Sequence, residues 1–295
     1  MIYLMLCVLA NVGIFLCFRL FKTYDLDTFQ AIVFNYIFCV VTGVIFTPDL
    51  PFELAFDVGS PWVLIAMVLG LVFIGTFYLM ALTTQRFSMT VSSIASKMSL
   101  IIPVLVSLLV LQVYSKEYTL LNYLGMAVAF PAILLSSLKS RMADSVASSR
   151  RMMILPIGVF LFGGLIDTSI NYTNFKYLNT QTEALFPIVI FASAAVIGIF
   201  TMIAQRSKPE PKNLIGGVVL GGINYFSIFF LIKALSYFNN DGALVYPLLN
   251  VGIIVLSAIL SVTVFKERLS KINLTGILLA VLSIALLSYQ ELTQL

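Results

Sequence analysis

Met89-Thr-Val-Ser-Ser-Ile-Ala-Ser-Lys97-Met-Ser99-Leu-Ile-Ile-Pro103-Val-Leu-Val-Ser107-Leu-Leu-Val-Leu-Gln-Val-Tyr-Ser-Lys116-Glu117 carries one cation inside an otherwise uncharged run. The run is roughly 25 residues long, enough to cross a bilayer. A charged side chain near the bilayer centre costs at least a few kcal/mol, so its default reading is a functional group facing protein or a water-filled cavity. Ser93 lies one helical turn before Lys97. Pro103 withdraws an amide and clashes with the carbonyl of Ser99. The stretch therefore predicts a polar, bent helix segment.

The rest of the chain agrees with a membrane setting. Of its 295 residues 60% are hydrophobic and 10% charged, far below the roughly one-quarter charged share of soluble domains. No stretch remains for a soluble domain of ~50 residues, so function must lie in the membrane part. The first apolar segment has no Ala-x-Ala-like cleavage site and reads as a retained helix. Cys7, Cys17 and Cys39 fall in apolar segments and suggest neither a disulfide nor a metal pair. The chain has no histidine, which removes the commonest general base and metal ligand. With no clustered acidic motif either, the expectation is a protein that is not an enzyme and holds no metal or cofactor. The net charge of +4 is spread over loops and forms no nucleic-acid patch. No Gly-x-x-x-x-Gly-Lys-Ser/Thr motif is present to drive a pump with ATP.

Apolar runs predict ten helices near 2–21, 28–47, 61–84, 88–113, 119–138, 153–175, 182–204, 213–236, 242–265 and 272–289. A polar linker, 139–152, separates five helices in 1–138 from five in 153–295. The halves echo one another. Phe21-Lys22 is repeated as Phe175-Lys176, Ser107 and Lys116-Glu117 as Ser257 and Lys266-Glu267, and Asn122-x-x-Gly125 as Asn273-x-x-Gly276. This order of matches argues for an internal duplication. An odd number of helices per unit inverts the second copy, which is the inverted-repeat plan of many transporters.

Call the side where the first helix begins side A and the opposite side B. Side B then holds 13 of the 17 basic residues and side A holds Lys116, Lys176 and Lys233, with Lys97 buried. By the positive-inside rule side B is cytoplasmic and both termini lie outside.

Asp167 is the one acidic residue far from a predicted helix end and is the expected partner of Lys97. Asn171 and Asn174 follow it on one helical face. Asn11, Asn35, Asn224 with Tyr225, and Asn250 with Tyr246 and Pro247 lie near mid-depth in other segments. The substrate-binding candidates are Lys97, Asp167, Asn171, Asn11, Asn224, Tyr246 and Asn250. Each asparagine is equally readable as interhelical glue, the tyrosines as packing, and Lys97 with Asp167 as a structural ion pair. The double glycines 163–164, 216–217 and 221–222 are expected to be packing notches, and Glu117 and Glu267 to anchor turns.

The ten helices, the five-plus-five duplication and Tyr246-Pro247 … Phe265-Lys266-Glu267-Arg268-Leu269-Ser270 … Asn273-Leu-Thr-Gly276 resemble the drug/metabolite transporter superfamily, specifically its EamA-type proteins. The resemblance implies an all-α polytopic protein with two inverted five-helix repeats around a central cavity, and alternating access to that cavity. It also implies termini in the cytoplasm, against the charge bias. The expected function is secondary transport of a small polar metabolite, an amino acid or related zwitterion or organic anion, across the cytoplasmic membrane. Coupling to protons or to a counter-substrate, and a monomeric or homodimeric state, remain open. The alternatives are a carrier of amphipathic or lipid-linked cargo and a non-transporting receptor or assembly subunit.

Overall fold

A computed structural model describes residues 2–46, 51–106, 119–137, 152–179, 181–182, 184–237, 242–267, 269–287 and 289–292. The helices are α1 (Ile2–Thr23), α2 (Thr28–Phe46), α3 (Pro61–Arg86), α4 (Met89–Met98), α5 (Ile101–Val106), α6 (Leu120–Ser137), α7 (Ile154–Tyr177), α8 (Leu185–Ala204), α9 (Pro211–Tyr237), α10 (Gly242–Thr263), α11 (Lys271–Leu287) and the short α12 (Tyr289–Leu292). A 3-10 turn covers Phe52–Phe56, and there is no strand among the described residues. Helices α1, α2, α3, α8 and the Pro211–Leu231 part of α9 are long and apolar enough to cross a membrane.

Local chemistry sets the helix limits. Ser88 caps α4 by accepting the Val91 N–H at 3.1 Å, and Pro61 sits in the first turn of α3, where its missing amide proton is not needed. Asp25, Arg206 and Lys266 adopt φ near +50° just beyond α1, α8 and α10, turning the chain where glycine would be usual. The fourth segment is not one unbroken helix. Pro103 cannot donate to the Ser99 carbonyl, which instead takes the Ile102 N–H at 2.9 Å. The helix stops at Met98 and resumes at Ile101.

The core is built where apolar faces meet. Phe15, Phe18, Ile32, Tyr36, Ile190, Leu220 and Ile253 are fully buried in the main cluster. A second cluster gathers Ile94, Met98, Ile101, Ile133, Ile254 and Ile284 around α4, α6, α10 and α11. The outward faces are apolar as well, with Leu64, Val68 and Leu71 on α3 and Val196, Phe200 and Ile203 on α8 exposed. That is the surface of a membrane protein.

Helix α2 packs on α9, and α3 on α8; α1 packs on α9 and α10, and α7 on α3, α4 and α5; α6 packs on α11. The last pair is joined by two equivalent clasps. Asn122 donates to the Leu287 carbonyl at 2.8 Å and accepts from the Thr119 N–H and hydroxyl. Asn273 donates to the Ser136 carbonyl at 2.9 Å and accepts from the Ser270 N–H and hydroxyl. Each asparagine closes the first turn of its own helix and the last turn of its partner, filling the orphan groups of both ends. Gly125 and Gly276 permit this approach. A Cβ on Gly125 would lie 2.9 Å from the Leu287 nitrogen, and one on Gly276 would lie 2.8 Å from the Ser136 Cα.

Hydrogen bonds also show which helix ends share a face. The end of α1 meets the end of α3 through Lys22 Nζ and the Gln85 carbonyl at 2.8 Å. The starts of α2 and α9 meet the end of α8 through Gln30, which donates to the Ser207 hydroxyl at 2.7 Å and accepts from Asn213 at 2.9 Å. Asp27 N–H donates to Asn213 at 2.9 Å. All of these lie on side B.

Candidate functional site

Helices α1, α4, α7 and α10 converge on the middle of the bundle, and the polar residues they carry point there. Lys97, in the last turn of α4, donates to Asn11 Oδ1 of α1 at 3.1 Å. Asn11 in turn donates to the Cys7 carbonyl at 3.0 Å. Asp167 of α7 lies 3.2 Å from the Ser99 hydroxyl, whose single proton it shares with the Ser96 carbonyl at 2.6 Å. Ser99 thus ties the break after α4 to α7. The glycine pair of α7 makes room for it, since a Cβ on Gly163 would lie 3.1 Å from Ser99 and one on Gly164 would overlap Ile102.

Lys97 and Asp167 do not form the contact pair expected from the sequence: no N···O approach within 4 Å links them, although each lies in the other's electrostatic field. The ammonium turns toward α1, and the carboxylate meets Ser99 instead. Both side chains are deep in the bundle yet incompletely covered. Tyr246, near the start of α10, is 38% exposed and lies within electrostatic reach of Asp167. Asn250, one turn further, is buried and makes no side-chain hydrogen bond among the described residues.

Other candidates fall elsewhere. Asn224 donates to Asn35 Oδ1 at 3.2 Å, and both are buried between α9 and α2. They connect to the centre only indirectly, since the Ser227 hydroxyl donates to the Asn224 carbonyl and Cys7 Sγ donates to the Ser227 carbonyl. Tyr225 stacks obliquely with Phe46 toward the outside. The side chains of Asn171, Asn174 and Pro247, and all of Glu117, lie outside the described residues. The double glycines of α9 meet α2, where a Cβ on Gly221 would lie 2.8 Å from the Asn35 carbonyl oxygen.

Sequence reasoning missed two features. Ser99 as the donor to Asp167 had a signal, its place between Lys97 and Pro103. The second is an ion pair between halves: Arg19 of α1 reaches Glu267, beyond α10, at 2.9 Å. Arg19 also lies over the Phe265 ring, 5.6 Å from its centroid, and donates to the Thr84 carbonyl at 3.4 Å. Glu267 therefore does more than anchor a turn. Burial raises its carboxyl above the ordinary value, partly offset by Ser261, Arg19 and Lys22.

No protein-family profile matches the chain. It is similar to a protein of Haemophilus influenzae described only as uncharacterized, 29% identical over 98% of both chains. A solved crystal structure superimposes with a TM-score of 0.59 at 14% identity, covering 97% of this chain and 94% of that one. That likeness concerns the fold alone.

Proposed function

We propose that the chain is a secondary carrier of the EamA type, with ten spans in two inverted repeats, that moves a small zwitterion or organic anion across the cytoplasmic membrane. One observation carries this reading. Lys97 and Asp167 reach the middle of the bundle from opposite halves, with no ion pair between them and only neutral hydrogen-bond partners. Buried charges without a counter-charge are costly. A ligand bearing a carboxylate and an ammonium group completes both at once, with its carboxylate at Lys97 and Asn11 and its ammonium at Asp167, beside Tyr246.

The inverted repeat is supported by the exchange of packing partners, since α2 on α9 corresponds to α3 on α8 when the halves are swapped. The reciprocal clasps at Asn122 and Asn273 support it further. The basic residues gathered on side B support a cytoplasmic assignment of that side. Energy would come from a gradient of protons or of a counter-substrate.

One feature favours the second reading, amphipathic cargo. An apolar groove between α3 and α7, lined by Leu64, Val68, Leu69, Val72, Leu165 and Ser169, is open on the lipid-facing side. The two readings are separated by a thermal-shift screen of amino acids, organic anions and amphipathic amines, because a ligand that binds the folded state raises its apparent stability. Uptake of the hits into liposomes then tests the site. Lys97→Ala and Asp167→Ala are each expected to weaken uptake strongly at sub-saturating substrate; normal transport of every wild-type substrate by both variants would remove the assignment.

A further inference from the structure

Among the described residues, the buried Thr90 Oγ1 and Ser257 Oγ make no hydrogen bond, and neither do Ser261 Oγ and the Glu267 carboxylate by strict geometry, although Ser261 lies close enough to hold the Glu267 carboxyl down and Arg19 meets it as an ion pair. Buried polar groups are almost always satisfied, so a cluster of exceptions needs a cause. These lie in a file. Ser257 and Ser261 follow Asn250 by seven and eleven residues, within about 20° of the same face of α10 at 3.6 residues per turn. On α4, Thr90 precedes Lys97 by seven residues and shares its face in the same way. Helices α4 and α10 pack against each other, and Thr90, Ser257 and Ser261 are buried. The file runs from the central site toward side B over roughly 16 Å of α10 and ends at Glu267.

We infer that the α4–α10 seam is the passage by which the central site opens to side B, and that the Arg19–Glu267 pair is the latch that holds it shut. The inference rests on the carrier reading. With the helices apart, the hydroxyls line a polar path and meet water or passing substrate. With the helices together, they are shut away from water. The latch joins the halves at the mouth of this path, because Arg19 comes from α1 and Glu267 from the turn after α10. Side B carries further polar ties between halves, through Gln30, Asn213 and the Lys212–Asp25 carbonyl bond of 2.8 Å. The latch is also one-sided. The offset that matches Phe21-Lys22 to Phe175-Lys176 places Thr173 opposite Arg19, and the Thr173 hydroxyl donates to its own helix at 2.6 Å.

The test is alkylation of Ser257→Cys in the full-length protein in liposomes by a membrane-impermeant thiol reagent applied from either side. The parent protein sets the background from Cys7, Cys17 and Cys39. Labelling is expected to be slow with the latch intact. It should be roughly tenfold faster or more, and only from side B, when Glu267→Gln is added, as a shift of the closed–open equilibrium requires. The exchange Arg19→Glu with Glu267→Arg should restore slow labelling. Ser283→Cys, in the α6–α11 clasp, must stay unlabelled throughout. Unchanged labelling in Glu267→Gln, or equal labelling at Ser283→Cys, overturns the latch. No cargo enters this assay, so failure of the carrier reading shows separately, as absent uptake.

Discussion

Asn122 and Asn273 commit their amides fully to helix ends, each accepting twice from its own first turn and donating to the last carbonyls of the partner helix. At the centre of the bundle Asn11 instead holds up a lysine, and Asp167 has one serine hydroxyl. The first region is the same in both halves at a constant spacing of 151 residues, including Thr119 with Ser270, Gly125 with Gly276 and Ser136 with Leu287. The second is not repeated, since at the 150-residue offset that matches Lys116-Glu117 to Lys266-Glu267, Lys97 has Pro247 as its counterpart. What the halves share builds the scaffold. What differs between them furnishes the site.

Breaking the centre should therefore injure function and spare the fold. Lys97→Ala or Asp167→Ala removes one charge-assisted contact to substrate, worth about 2 kcal/mol, or a roughly 30-fold loss in affinity. Neither should lower the melting temperature in detergent, because deleting a buried charge also removes its desolvation penalty. Loss of stability parallel to loss of uptake would mean that the pair is structural and would erase the contrast.

Breaking the clasp should do the reverse. Gly276→Ala drives a Cβ to 2.8 Å from the Ser136 Cα and 3.0 Å from the Ala132 carbonyl oxygen, backbone that cannot move aside, so a destabilisation of about 2 kcal/mol is expected. Gly125→Ala meets the Leu287 nitrogen and Ser283 oxygen at 2.9 Å and should cost a similar amount. Asn122→Ala and Asn273→Ala should each cost about 1 kcal/mol. Asn122 lies on α6 and Asn273 on α11, and their clasps close opposite ends of this helix pair, so the double variant should show their sum. Unequal single effects, read by thermal unfolding, would show that the symmetry is only geometric.

The scaffold was the more legible of the two regions. Apolar runs predict the helices because span length and hydropathy act residue by residue, and the Asn-x-x-Gly repeat was visible in sequence before its use as a clasp could be known. Pro103 signalled trouble at Ser99. Whether the helix bends or stops depends on Ile102 taking the freed carbonyl and on Gly163 and Gly164 of a helix more than 60 residues away. Charge alone nominated Lys97 as the partner of Asp167. The meeting with Ser99 instead depends on how α4, α5 and α7 pack, which no local pattern encodes. Arg19 and Glu267 were each read within their own segment, so the bond between halves went unseen.

The smallest expected effect lies where the two regions adjoin, at Glu267, three residues before the Ser270 clasp begins. Burial raises its carboxyl above the ordinary 4.5, and Ser261, Arg19 and Lys22 only partly counter this. The folded protein thus holds the proton more tightly than the unfolded chain. Its stabilising contribution is complete below the ordinary value and is lost as pH rises through the raised one. Because the pair is partly exposed, the change should not exceed about 1 kcal/mol. Melting temperatures of the wild type and of Glu267→Gln between pH 4 and 8 isolate it: the wild type should lose stability relative to the variant as pH rises. A difference that grows in the wild type's favour would mean that Arg19 outweighs burial, and that this corner belongs with the scaffold rather than with the moving centre.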